Sequence, residues 1–206
     1  MFVLAGPTSF PGGIEHRHSP MSSDSNQALA SRSMAETLVL GLDPGLAITG
    51  YGVIRSCGGK VSLVEAGVIR VSRSQSLSAR LRELHEGIGE VVSSYPLSAV
   101  AIEQLYSHYE RPRTAILMGH ARGVLCLAAA LANIEMFSYE STKVKKLLTG
   151  NGRAPKDQMQ RAIQMQLQLK EPPDPPDVAD ALAIALCHHF SKGPLGQLLT
   201  KTRKTK

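Results

Sequence analysis

The stretch Leu38-Val39-Leu40-Gly41-Leu42-Asp43-Pro44-Gly45 is an apolar run that ends on a carboxylate and a sharp turn. Its side chains are typical of a strand buried on both faces, as in the middle of an α/β sheet. Pro44 cannot donate to a strand ladder and Gly45 accepts positive φ, so we expect the strand to stop there. Asp43 is therefore predicted at the carboxyl end of a core strand, where open α/β sheets place their ligands. Taken alone, an Asp before Pro-Gly is better explained as a turn cap.

The length and charge of the chain suggest one domain with a polyanionic partner. The 206 residues can bury a sizeable core, and the aliphatic composition is that of a globular protein. A formal charge of +6 favours binding to a nucleic acid, although a solvated basic surface is the alternative. The cysteines are odd in number and lack C-x-x-C spacing, so we interpret Cys57, Cys126 and Cys187 as reduced core thiols in a cytosolic protein.

Both ends of the chain differ in composition from the middle. Residues 1–33 hold seven Ser, three Pro and no Lys, without the pattern of a signal peptide. We therefore predict a disordered extension over residues 1–36, a domain over 37–191 and a basic flexible tail over 192–206. Met34 directly precedes the first strand, so our hypothesis is that the native start lies there. The longest apolar run, residues 124–132, is too short to span a bilayer.

Alternation and helical periodicity predict a mixed α/β order of elements. After Asp43, the pattern indicates two further strands that form a meander around Gly58-Gly59, followed by a helix. Strands and helices then alternate. The predicted ranges after the first strand are 48–55, 60–71, 77–92, 99–103, 114–133, 135–139, 141–148, 155–169 and 178–190. Three antiparallel strands followed by β-α units, in one mixed five-stranded sheet flanked by helices, describe the ribonuclease H-like fold. In the 114–133 helix, the small residues Gly119, Ala121 and Gly123 would allow close packing.

Further carboxylates could converge on Asp43. Glu103 ends the fourth predicted strand as Asp43 ends the first, so neighbouring strands would direct both into one crevice. Asp177 and Asp180 stand at i and i+3 at the start of the last helix and share a face. For that helix alone, the alternative is that Asp177 is the N-cap and Asp180 completes a capping pattern.

A crevice of four carboxylates needs a compensating cation. Two carboxylates about 4 Å apart repel by about 4 kcal/mol at an effective dielectric near 20. Ligation by oxygen alone suits Mg²⁺ or Mn²⁺ rather than Zn²⁺. Two such ions would activate a water and stabilise the leaving oxygen of a phosphodiester. The residues therefore favour metal-dependent phosphodiester hydrolysis.

Four short motifs, in order and at the right spacing between residues 38 and 188, resemble the RuvC family of bacterial Holliday-junction resolvases. They are Leu42-Asp43-Pro44-Gly45 with Thr49-Gly50-Tyr51-Gly52-Val53, then Ala101-Ile102-Glu103-Gln104, then Ala121-Arg122-Gly123, then the run from Asp177 to Ala185. Each motif alone is weak, but the four together are specific. The resemblance implies a Mg²⁺-dependent endonuclease, active as a homodimer, that nicks two opposing strands of a four-way junction and leaves 5′-phosphate ends. Its catalytic and metal-binding carboxylates would be Asp43, Glu103, Asp177 and Asp180.

The resemblance also implies DNA contacts and partners. Tyr106 matches an aromatic position that stacks on a base near the crossover, and Lys145 and Lys156 match basic positions that contact the backbone. A partly buried aromatic and a solvated helix face are the alternatives. A cytoplasmic location and association with a branch-migration complex (RuvA–RuvB) are further expectations. The surface around Gly119 and Gly123 could form the dimer, although packing within the chain explains these residues equally well.

Two other functions compete with the resolvase. An actin-like ATPase or sugar kinase also has an Asp before a Gly-rich turn, but it needs two such lobes and the chain is long enough for one. A non-catalytic nucleic-acid-processing relative on the same fold would be expected to lack part of the acidic set, whereas all four acids are present here.

Overall fold

A five-stranded mixed sheet forms the centre of the domain. The computed structural model describes residues 36–105 and 112–192. The strands are β1 (Thr37–Asp43), β2 (Ile48–Cys57), β3 (Lys60–Arg70), β4 (Ala99–Glu103) and β5 (Met136–Tyr139). They lie in the order β3-β2-β1-β4-β5. The pairs β1–β2 and β2–β3 are antiparallel, whereas β1–β4 and β4–β5 are parallel. The predicted mixed sheet is confirmed, and β1 is its middle strand.

Helices cover both faces of the sheet. They are α1 (Leu77–Ser94), α2 (Pro112–Leu131), α3 (Ser141–Thr149), α4 (Lys156–Leu167) and α5 (Pro176–Lys192). Alternate residues of β1 point to opposite faces, as the period of a strand requires. Leu40 and Leu42 pack under α1 and α2, whereas Val39 packs under α3, α4 and α5. Each face therefore has its own apolar core, with the sheet between them.

The last helix approaches the sheet unusually closely. A Cβ atom added at Gly41 would lie 2.1 Å from the Ala181 carbonyl oxygen, and one added at Gly50 would lie 2.0 Å from the Asp177 carbonyl oxygen. Only glycine leaves room for the helix backbone at these two positions. Ala181, Leu182, Ala185 and Leu186 are fully buried at this contact. The sequence of β1 and β2 therefore fixes where the start of α5 lies.

Three details differ from the sequence-based expectations. Helix α5 begins at Pro176, so Asp177 lies inside the first turn and its interpretation as the N-cap is wrong. The expectation of core thiols holds for Cys187 but is wrong for Cys57, which is exposed at the end of β2, and Cys126 is only partly buried. In α2, Ala121 is fully buried, but no described residue lies within 4 Å of a Cβ atom placed at Gly119 or Gly123. These two glycines therefore do not serve close packing within the described part of the chain.

Helix α2 is apolar on two sides. Among the described residues, the segment Arg113–Leu131 is the one helix that is long and apolar enough, by length and composition, to cross a membrane. Core helices of soluble proteins pass the same test, so this is weak evidence of a membrane span. Ala121 and Leu125 are fully buried in the core cluster shared with α1. One side of α2 is therefore a core face of the domain.

We expect Gly50→Ala to destabilise the domain by about 1–3 kcal/mol, because the added methyl group must displace the backbone of α5. Gly89→Ala is the matched control, since Gly89 lies in α1 with no described atom within 4 Å of the added Cβ. Removing a helical glycine there should stabilise the domain by up to about 1 kcal/mol. Urea unfolding midpoints of both variants test the close approach. Equal stability of the Gly50→Ala variant and the wild type would contradict it.

Candidate active site

Asp43 and Glu103 are side by side at one edge of the sheet. Strands β1 and β4 are parallel neighbours, with Leu42 paired to Ile102. Asp43 follows Leu42 and Glu103 follows Ile102, so the two acids lie next to each other where the strands end. Alternate side chains of a strand lie on the same face of the sheet, so Asp43 shares a face with Val39 and Glu103 shares one with Ala101. Val39 and Ala101 pack on the α5 side. The structure thus confirms that the two strands end in one crevice.

Helix α5 contributes the other two acids. Gly50 pairs with Asp43 across the β1–β2 ladder and lies directly beneath the Asp177 backbone. Asp177 is therefore positioned over the end of β1, and Asp180 follows one turn later on the same face. The four predicted acids come from three elements, β1, β4 and α5. Their convergence depends on the glycine contact and not on local sequence.

The charges of the other three acids act on Asp43. Burial is the largest cause of a pKa raised to about 7 for Asp43, and repulsion from Asp180, Glu103 and Asp177 adds to it. Lys156 opposes this rise in the Asp43 pKa. An isolated aspartate would be fully charged at that pH. Burial and the three neighbouring acids therefore both make the charged form of Asp43 unfavourable, and Lys156 offsets only part of this.

Glu103 and Asp180 experience weaker forms of the same effect. Burial raises the Glu103 pKa, while a hydrogen bond donated by the Ser141 hydroxyl and the charge of Lys145 oppose the rise. The Asp180 side chain reaches solvent, yet partial burial still raises its pKa against the attraction of Lys156 and Lys145. Both lysines thus act electrostatically on the acids.

A cleft of about 240 Å³ lies beside the acids, between α3, α4 and α5. Glu103 and Asp180 line this cleft together with Lys145 and Lys156. Lys156 is the first residue of α4 and is exposed, whereas Lys145 is partly buried in α3. Both predicted basic residues therefore lie at the site. Tyr106, the predicted stacking residue, lies outside the described residues.

Arg122 holds the end of β4, a role that the sequence did not assign. Its guanidinium donates one hydrogen bond to the Glu103 backbone carbonyl and another, of 2.7 Å, to the Ser138 hydroxyl of β5. The residue thus joins α2 to the two strands that flank the crevice. The available signal was an Arg in the middle of a largely apolar helix, because a charge there needs a partner. Ser141, which donates to Glu103, carried no comparable signal.

His188 of α5 serves the core rather than the site. His188 is 6% exposed, and its Nδ1 lies 2.9 Å from the Tyr139 hydroxyl. Burial lowers the His188 pKa to about 4, so the ring is neutral at physiological pH. This bond fixes α5 to the end of β5.

The donor chemistry of the crevice fits a hard divalent cation. The four acids offer oxygen ligands only, which Mg²⁺ and Mn²⁺ prefer. Within residues 36–105 and 112–192, no three Asp, Glu, His or Cys side chains are close enough together to hold an ion as they stand. Mutual repulsion favours separated carboxylates when no cation is present. Asp43, Glu103, Asp177 and Asp180 are nevertheless the groups that could hold one.

Comparisons with known proteins agree on one family. A family model described as crossover junction endodeoxyribonuclease RuvC matches residues 39–188. A protein of that description from Rhodopirellula baltica is 54% identical over 174 residues, covering 84% of this chain and 98% of the relative. Another, from Legionella pneumophila strain Philadelphia 1, is 40% identical over 172 residues, covering 82% and 98%.

Solved structures give the same result. Thermus thermophilus RuvC in complex with a Holliday junction substrate superposes with a TM-score of 0.71 at 34% identity, covering 75% of this chain and 93% of that one. A yeast mitochondrial Holliday junction resolvase, Ydc2, reaches a TM-score of 0.59 at 13% identity, covering 82% and 84%. The second likeness is one of fold alone.

We expect the stability of the metal-free protein to fall between about pH 4 and pH 7. The folded state keeps a proton on Asp43 up to about pH 7, whereas an unfolded chain releases it near 3.8. The unfolded state therefore binds fewer protons in this window, and the free energy of unfolding decreases as the pH rises. Asp43→Asn should reduce this slope, with the remainder due to Glu103 and Asp180, and should stabilise the protein in EDTA at pH 8 by about 2–4 kcal/mol.

Denaturant unfolding in EDTA at pH 5 and pH 8 measures this effect. Glu90→Gln is the control, because Glu90 is exposed on α1 and away from the site. A pH slope in the Asp43→Asn variant as steep as that of the wild type would show that Asp43 is an ordinary aspartate.

Proposed function

The chain belongs to the RuvC family of crossover junction endodeoxyribonucleases, and we therefore propose that its four converging carboxylates perform metal-dependent hydrolysis of junction DNA. Its function is the resolution of Holliday junctions in recombination and DNA repair. The observation that supports the site assignment is that the acids of β1, β4 and α5 lie close enough for Asp180, Glu103 and Asp177 to raise the Asp43 pKa, after burial as the larger cause. Hydrolysis would break the bond between phosphorus and the 3′ oxygen and leave 5′-phosphate ends.

Asp43, Glu103, Asp177 and Asp180 would hold the cation, as one ion or as two. When bound, Mg²⁺ or Mn²⁺ supplies charge compensation for the phosphate and a lowered pKa for water. The residues of the chain would do the rest. Arg122 holds the backbone carbonyl of Glu103 and Ser141 holds its carboxylate, and the close contact at Gly50 keeps Asp177 over Asp43.

Lys145 and Lys156 would bind DNA phosphates beside the cut. Both line the cleft with Glu103 and Asp180, and both charges act on Asp180, so a strand that reaches the carboxylates would pass close to them. Contacts of this kind position the strand and do not read its sequence. They would also lessen the repulsion between the DNA backbone and the acids before a cation binds.

Helix α2 offers a surface for a second copy of the chain. The outward side of this helix carries apolar side chains that no described residue covers. It also carries two glycines, at which a neighbouring surface could approach the helix backbone closely. These residues are Ile116 (61% exposed), Gly119, Gly123, Leu127 (52%) and Leu131 (65%). Exposed apolar residues spaced along one helix face mark an interaction surface. A four-way junction has approximate two-fold symmetry, so a two-fold dimer would direct two equivalent sites at opposing strands.

The remaining expectations rest on the family alone. We propose a cytoplasmic location, because the substrate is chromosomal DNA and the relatives above are bacterial. Association with the RuvA–RuvB branch-migration complex stays a prediction, as do the stacking of Tyr106, the disordered extension over residues 1–36 and the basic flexible tail over residues 192–206.

We expect Asp43→Asn, Glu103→Gln and Asp180→Asn to reduce junction nicking by at least about 100-fold, because each removes a charged ligand of the cation. Junction binding in EDTA should be retained. Single-turnover nicking of a synthetic four-way junction in Mg²⁺ measures the loss, and the thermal shift on adding Mg²⁺ reports binding of the ion independently. Asp157→Asn is the control, since Asp157 is an exposed acid next to Lys156 that pairs with Arg161. Near wild-type nicking by Asp43→Asn would refute the assignment.

We expect Leu127→Glu to convert a dimer into a monomer, because the carboxylate would be buried without a partner in the apolar contact. Light scattering after size exclusion measures the mass. The control is Met165→Glu, since Met165 is 78% exposed but lies on α4, away from this face. A Leu127→Glu variant that keeps the dimer mass would exclude this surface.

A further inference from the structure

A second cleft lies on the other side of the acids. Its volume is about 600 Å³, and we call it the arginine cleft. It is formed by the β1–β2 turn, the segment before α1 and the start of α2. The charged and polar side chains that line it are Arg73, Arg80, Thr114 and Asp177.

Arg80 has unused hydrogen-bonding capacity. One guanidinium nitrogen donates to the Leu46 backbone carbonyl at 3.1 Å, which ties α1 to the turn after Asp43. The Nε atom is buried and has no partner within the described residues. A buried donor without a partner costs free energy until an acceptor arrives. An anion in the cleft would supply that acceptor.

Arg73 adds a second cation at the same place. Its side chain is exposed, and among the described residues it takes part in no recorded ion pair or hydrogen bond. Guanidinium groups bind phosphate oxygens through two parallel hydrogen bonds, which makes arginine the preferred residue for such contacts. The Thr114 hydroxyl is a further donor on the facing wall.

The acids separate the arginine cleft from the lysine-lined cleft. Asp177 lines the arginine cleft, whereas Asp180 and Glu103 line the cleft with Lys145 and Lys156. A DNA strand that crosses the carboxylates therefore leaves one basic cleft and enters the other. Each side of the reacting phosphate would then meet cations of its own.

We propose that Arg73 and Arg80 bind a backbone phosphate of the strand being cut, on the side of the scissile phosphate opposite to Lys145 and Lys156. This inference rests on the proposed function, since it assumes that the strand crosses the four acids. Asp177 repels an anion, so the bound phosphate lies toward the arginine end of the cleft. Contacts on both sides would hold the strand across the carboxylates and resist its sliding along them.

The test removes one charge from the protein, one charge from the DNA, or both, and compares the resulting losses of binding. Four-way junctions are prepared with one neutral methylphosphonate at each linkage on either side of the cut site. Binding in EDTA and single-turnover nicking in Mg²⁺ are measured for the wild type and for Arg73→Ala, Arg80→Ala and Arg82→Ala. Arg82 is the matched control, because it lies on α1 but is 76% exposed and faces Glu86.

We expect one flanking linkage at which the methylphosphonate weakens wild-type binding by roughly tenfold, the loss of one charge-assisted contact. Arg73→Ala should weaken binding of the unmodified junction, and the methylphosphonate at that linkage should then cost the variant less than it costs the wild type, because only the Arg80 contact is left to lose. For this variant, the slope of the logarithm of the binding constant against the logarithm of the salt concentration should become shallower by about one unit. Arg82→Ala should behave as the wild type.

Arg73 is the decisive variant, because Arg80→Ala also removes the bond to Leu46 and could loosen the turn after Asp43. The proposal would be overturned if Arg73→Ala bound the junction as tightly as Arg82→Ala. It would also be overturned if the loss from Arg73→Ala and the loss from the methylphosphonate multiplied at every linkage. Failure of the wild type to nick the junction would instead refute the proposed function, and the binding data would still decide the cleft.

Discussion

The close approach of α5 to strands β1 and β2 is the constraint on which the site depends. At Gly41 and Gly50 the helix backbone occupies the space that any side chain would need. This contact brings Asp177 and Asp180 over Asp43, although more than 130 residues separate them in the chain. It is supported by fully buried residues on both sides, including Leu182 and Leu186. The position of the acids is therefore set by backbone packing, which is more rigid than the placement of a loop.

The cost of the site is electrostatic. Asp43 is buried beside three other acids, and its pKa of about 7 measures how unfavourable its charge is there. Burial still raises the pKa values of Glu103 and Asp180, although the charge of Lys145 acts against the rise for both acids and that of Lys156 for Asp180. A crevice with unbalanced negative charge and oxygen donors alone is suited to divalent cations. The same imbalance would repel a DNA strand, which explains why basic side chains stand around the acids and not among them.

Much of the fold and of the acidic site could be predicted because the signals are local. An apolar run that ends at Asp43-Pro44-Gly45 defines a core strand and its end, and Ala99–Glu103 repeats the pattern. The i, i+3 spacing of Asp177 and Asp180 places both on one helix face. The start of α5 was misjudged by two residues because Pro176 is compatible with the first turn of a helix as well as with a connector.

The features that escaped prediction depend on tertiary contacts. The core position expected for Cys57 was wrong because hydrophobicity alone does not say where a strand leaves the core. The bond from Arg122 to the Glu103 carbonyl joins residues 19 positions apart, across α2 and β4. The arginine cleft combines the β1–β2 turn with segments from two helices, and no periodicity links Arg73, Arg80 and Asp177.

Helix α2 connects the site to the surface on which a second copy would bind. On its inner side Arg122 holds the end of β4, and therefore Glu103, while on its outer side Leu127 and Leu131 are exposed. Both sides belong to one continuous 20-residue helix. In a dimer formed through the outer side, the separation of the two acidic sites would be set by rigid helices and not by flexible segments. Two cuts on opposing strands require such a fixed separation, because each site must meet its own strand of the same junction.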